Sequence, residues 1–66
     1  MPRPSLDADA KTFLSELRRL RTRVGNGFFR DLLGWREERY WRTHEFLIER
    51  GKIHRGRGRG GSIEIA

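Results

Sequence analysis

"GKIHRGRGRGGSIEIA", residues 51–66, decides how the rest of the chain is read. Lys52-Ile53-His54-Arg55 and Ser62-Ile63-Glu64-Ile65 each alternate apolar and polar residues, the period of a half-buried strand. Between them Arg57 and Arg59 stand among glycines, which let the backbone turn freely. A solvated Arg-Gly tail has no need of isoleucines at alternate positions. The stretch therefore predicts a β-hairpin over residues 52–65 with a glycine-rich, basic tip.

Upstream of the hairpin the period changes. Gly51 stops a helix expected over residues 36–50. At 100° per residue its Tyr40, His44, Leu47 and Ile48 share one side, with Trp41 at the edge. Arg39, Arg42, Thr43 and Phe46, with Glu38 and Glu49, fall on the other side or its border. Gly34 ends a shorter helix at 27–33, where Phe28 or Phe29 turns inward with Leu32 and Leu33. Gly25-Asn26-Gly27 separates this from the first helix, with Asn26 as a candidate cap. Asn-Gly is also a hairpin signal, but the residues that follow do not alternate. The first helix is expected over 6–23, because Phe13, Leu17, Leu20 and Val24 recur at helical spacing with Leu14 alongside. Ser5 or Asp7 can cap it, and residues 1–5 form a tail. The core expected from these patterns is Phe13, Leu17, Leu20, Val24, Leu32, Leu33, Tyr40, Leu47, Ile53 and Ile63, with Trp35 and His44 packed against it.

The chain has 66 residues and a net charge of +6. It is one small domain, able to bury only about 60% of its unfolded surface. There is no cysteine, which suits a reducing compartment. With no long apolar run and no signal-like start, a cytoplasmic protein without a membrane span is expected. All but Lys11 and Lys52 of the fifteen cations are arginine. Arginine suits phosphate, because its planar fork donates two hydrogen bonds and stays charged. The cations cluster: Arg18, Arg19, Arg21 and Arg23 form one acid-free run, and Arg50, Lys52, Arg55, Arg57 and Arg59 another. A polyanionic partner is the natural reading. The negative end of the first helix's dipole accounts for part of the first run.

The residues of chemistry are sparse. Two histidines without cysteine give no metal-ligand spacing. Ser5, Ser15 and Ser62 form no nucleophile motif, and no helix follows the Gly-Arg run, so it is not a phosphate-cradling loop. So small a chain has little room for a deep pocket. The expectation is a binding protein, not an enzyme, with no cofactor, no metal and no small-molecule ligand.

"FFRDLLGW", "REERYWRTHEFLIERGKI" and "HRGRGRGGSIEI" together resemble the second helix, recognition helix and wing of a winged helix-turn-helix domain, across roughly residues 6–65. The run is similar to small modules of bacterial restriction-modification and other DNA-processing systems. The resemblance implies an α+β fold of three helices with a C-terminal two-stranded β-hairpin wing. It also implies double-stranded DNA as partner, bound by a transcription regulator or a module of a DNA-processing protein. The recognition helix would enter the major groove and the wing would lie on backbone or minor groove. Arg36, Arg39, Arg42 and Thr43 are the candidates on the helix, and Arg55, Arg57 and Arg59 on the wing. One departure is Arg36, where such helices often begin with Asp, Ser or Asn as cap.

Two other classes stay open. Winged helices also serve as protein-interaction adaptors, and an Arg-Gly element can bind RNA. Trp41 is expected to be partly buried against the wing, and His54 to point toward phosphate. Phe46, an aromatic residue on the polar side, is left with three readings: DNA sugar, a partner subunit or plain exposure.

Overall fold

Ser5 opens the first helix. In the structure, a computed structural model describing residues 5–56 and 61–66, its hydroxyl oxygen accepts the amide N–H of Ala8 at 3.1 Å. Helix α1 then runs Leu6–Leu20, with Asp7 and Asp9 in its first turn and Arg18 and Arg19 in its last. Those charges complement the helix dipole at both ends. The helix stops sooner than the apolar spacing suggests, because Arg21 takes left-handed backbone (φ 55°) and returns its N–H to the Arg18 carbonyl.

The chain then forms a strand that the sequence patterns did not anticipate. Strand β1, Val24–Gly25, is two residues long, too short to show a period. Helix α2 follows at Asn26–Leu33. Gly25, without a side chain, occupies its cap position, so Asn26 is not the cap. Asn26 is buried instead, and its side-chain oxygen accepts the Tyr40 hydroxyl at 2.6 Å. Gly34 ends α2 in left-handed backbone (φ 69°), as the sequence implied. Helix α3, Glu37–Glu49, has Arg36 at its cap position with no side-chain cap bond. Glu37 and Glu38 in its first turn supply negative charge there.

Strands β2, Ile53–Gly56, and β3, Ser62–Ile65, pair antiparallel, with Ile53 opposite Ile65 and Arg55 opposite Ile63. The hairpin is therefore present, and β1 adds to it: Val24 pairs with Ile63, giving the sheet order β1-β3-β2. The described residues form a small α+β domain of three helices and a three-stranded antiparallel sheet. None of the described helices is long and apolar enough to cross a membrane.

The core joins Ala10, Phe13 and Leu17 of α1 with Phe29 of α2, Tyr40 and Leu47 of α3, and Ile53 and Ile63 of the sheet. Phe13 is its centre: Phe29 meets it edge-on at 4.8 Å and Tyr40 lies tilted at 5.5 Å. Leu20, Val24 and Leu33 pack at the margin. Leu32, expected in the core, is 48% exposed. An eight-residue helix buries one stripe, and α2 turns Phe29 and Leu33 inward. Phe28 and Leu32, one turn apart on the next stripe, face out.

Candidate nucleic-acid interface

Helix α3 divides its side chains sharply. Tyr40, Thr43, His44 and Leu47, spaced by three and four residues, form the buried face. Thr43 is thus misassigned by the sequence reading. It is fully buried, its hydroxyl donates to the Arg39 carbonyl at 2.9 Å, and it presents no atom to a groove. A short side chain on the border of a stripe packs inward when its neighbours on both sides do.

Arg39 is also held. Its Nη2 and Nε donate to the two Asp9 oxygens at 2.7 and 3.1 Å, and its guanidinium lies over the Trp35 ring at 4.3 Å. The hydrogen bond to Asp9 raises the Arg39 pKa above its ordinary value. The pair clamps the first turn of α1 to the first turn of α3. Sequence reading missed Asp9, although a signal was present: Asp9, Phe13 and Leu17 are spaced by four, so the carboxylate lies on the apolar stripe.

Arg36 and Arg42 are exposed and have no ion-pair partner among the described residues. They are the two expected contacts of α3 that remain available. Arg55, on β2, reaches back to α3 and donates to both oxygens of Glu45 at 3.0 Å. Both partners are largely exposed, so this pair is weak and salt-sensitive. It ties the hairpin's flank to the helix without consuming the arginine. The expectations for Arg57 and Arg59 lie outside the described residues.

Between α3 and the hairpin runs a crevice of about 310 Å³, lined by Trp41, His44 and Glu45 on one side and by Arg55, Gly56 and Ser62 on the other. Trp41 stands in it 39% exposed, its ring edge-on to Tyr40 and to His44 at 5.1 and 5.0 Å. His44 is buried, and desolvation lowers its pKa, with Glu45 opposing and Arg55 reinforcing the shift. His44 is therefore neutral near pH 7. The Phe46 question resolves toward packing: the ring is half-buried against the core margin, and the Arg50 guanidinium covers it at 4.3 Å. His54 is exposed on the hairpin, across from Glu64. Among the described residues, no group of three or more His, Cys, Asp or Glu could hold a metal ion.

The chain matches no family model, no curated protein and no solved structure.

Proposed function

We propose that this chain is a winged helix-turn-helix domain that binds double-stranded DNA, in a cytoplasmic setting, as a small regulator or as one module of a DNA-processing protein. Helix α3 is the recognition helix and the β2–β3 hairpin is the wing. Arg36 and Arg42 face the major groove, Arg55 meets the backbone at the wing's flank, and Arg57 and Arg59 follow the backbone or minor groove. Arg39 supports α3 through Asp9 and does not read bases. The domain acts by binding and carries out no catalysis.

The observation that carries this reading is the junction of α3 with the hairpin. Arg55 bridges to Glu45 across the crevice, so a basic hairpin stands beside α3, whose exposed Arg42 and cap residue Arg36 have no ion-pair partner among the described residues. The net charge of +6 supplies the long-range attraction. The element order α1-β1-α2-α3-β2-β3 suits a recognition helix followed by a wing.

A titration of labelled duplex DNA at several salt concentrations tests the reading. Neutralising about five to seven phosphates gives a slope of log K against log salt near −4.5 to −6. Equal or tighter binding to single strands or structured RNA under the same salt would overturn it. A second reading has one observation in its favour: Phe28 and Leu32 are 58% and 48% exposed on one face of α2. That surface suits a protein-interaction adaptor. Absence of duplex binding at low salt would leave the adaptor as the better account.

A further inference from the structure

Three arginines of the first basic run lie outside the interface just described. Arg18, Arg21 and Arg23 line a groove of about 350 Å³ together with Thr22, Leu17, Glu64 and Ile65. All three are exposed. None has an ion-pair partner among the described residues, whereas Arg19, Arg30, Arg39 and Arg55 each hold a carboxylate. The helix dipole gives Arg18 a structural role. It extends to Arg21 at the cap position, but Arg23 lies two residues beyond the cap.

Arg21 carries the clearest signal. Among the described residues it is the one non-glycine with positive φ. A left-handed residue closing a helix is ordinarily glycine, because a Cβ is strained there. Glycine closes α2 and follows α3 in that conformation. At α1 the chain instead accepts the strain and keeps a long cationic side chain in the lining of the groove.

Arg23 connects the groove to the hairpin. A Cβ built on Gly56 would stand 2.9 Å from Arg23 Cδ, so the arginine's stem lies against the end of β2. Arg57 and Arg59 follow directly in sequence. The opening turn of α3 is farther off: Arg39 there is bound to Asp9, and Arg21 follows Asp9 by about 18 Å of helix at ~1.5 Å per residue. Glu64 lies in the same lining and repels an anion on its own side, which confines the anion to the arginine rim.

We propose that Arg18, Arg21 and Arg23 form a second phosphate-binding surface, which holds the sugar–phosphate backbone of the duplex beyond the segment met by α3. The proposal rests on the duplex-binding reading above. An acidic peptide offers the same charge, but continuity with the base of the basic hairpin favours a strand of regularly spaced phosphates running from one to the other.

The test is a variant combining Arg18→Gln and Arg21→Gly, which removes two cations and relieves the strained cap. It is expected to unfold no earlier than the parent. Binding is read by anisotropy on a duplex of about one helical turn and on one of about two and a half turns. The longer duplex should bind about tenfold more weakly, with a salt slope smaller by roughly two, while the shorter changes by less than about twofold. If the parent binds both duplexes and the variant binds both as the parent does, this surface is refuted and the α3–wing reading stands. If the parent binds neither, both fall. If the variant keeps duplex binding but loses binding to poly-L-glutamate, the groove takes acidic chains and the proposal is overturned.

Discussion

Asp9 and Arg39 join the first turns of α1 and α3 through two hydrogen bonds, at 2.7 and 3.1 Å, with Asp9 only 3% exposed. An arginine on the polar side of α3 is thereby taken up in holding the helix in position. Arg39→Ala leaves a buried carboxylate without its partner. The guanidinium is over a third exposed, so the cost is discounted from that of a fully buried pair, to about 1.5–3 kcal/mol. Denaturant unfolding checks this. A loss of DNA affinity in a variant of parental stability would return Arg39 to the interface.

Tyr40 and Asn26 make the second cross-link, between α2 and α3. Burial raises the Tyr40 pKa far above its ordinary value, so its hydroxyl remains a donor at all working pH. Tyr40→Phe strands the Asn26 oxygen in the core and should cost about 1–2 kcal/mol. Combining it with Asn26→Ala should cost less than the sum of the single changes, measured by a double-mutant cycle.

The elements were legible in the sequence wherever a period had length to show itself. Helix α3 and both hairpin strands lie within a residue or so of expectation, and Gly34 and Gly51 stop α2 and α3 as read. What escaped was non-local. The two-residue β1 exists because Val24 finds Ile63 across the sheet, which no local pattern records. Arg21 ends α1 in a conformation that its side chain does not favour. At the candidate site, the exposure of Arg42 followed from helical phase, while the fates of Arg39 and Thr43 depended on Asp9 and on the packing of α1 against α3.

His44 makes stability depend on pH. Its folded-state pKa lies below the ordinary 6.5, chiefly through desolvation, with Glu45 opposing and Arg55 adding to the shift. Above about pH 6.5 the ring is neutral both folded and unfolded and has no effect. Below that, the unfolded chain takes up the proton more readily, so stability falls as pH falls toward the folded pKa. Unfolding between about pH 7.5 and 5.5 should follow this trend, and His44→Phe should flatten it. An unchanged slope in the variant would mean that His44 is not the titrating group.

Gly56 and Ser62 face each other across β2 and β3, and the serine hydroxyl covers the glycine. A Cβ at position 56 would stand 2.0 Å from Ser62 Oγ and 3.3 Å from its Cβ. Gly56→Ala should therefore cost about 1–3 kcal/mol through overpacking. Ser62→Ala alone should be neutral or stabilising, since that hydroxyl is buried without a hydrogen-bond partner among the described residues. The two together should recover part of the loss, as thermal unfolding of all three variants would reveal.

The last prediction separates helix from hairpin in DNA binding. Arg42 is exposed on a rigid helix, where a base edge can be met in fixed geometry. Arg57 and Arg59 belong to a glycine-flanked basic element suited to tracking phosphate. Phosphate contacts position a protein, whereas base contacts specify sequence. Arg42→Ala should cost about 1–3 kcal/mol on a duplex selected from a random pool and less on scrambled DNA. Replacing Arg57 and Arg59 together should weaken every duplex alike and reduce the salt slope by roughly one per lost phosphate contact. Arg42 is exposed and lies outside the core, so Arg42→Ala should unfold within about half a kcal/mol of the parent, and unfolding of the double variant is measured as its control. If the double variant stays folded and binds every duplex as tightly as the parent, the Arg-Gly element is no wing. If Arg42→Ala weakens selected and scrambled duplexes equally, α3 contributes phosphate contacts and leaves the bases unread.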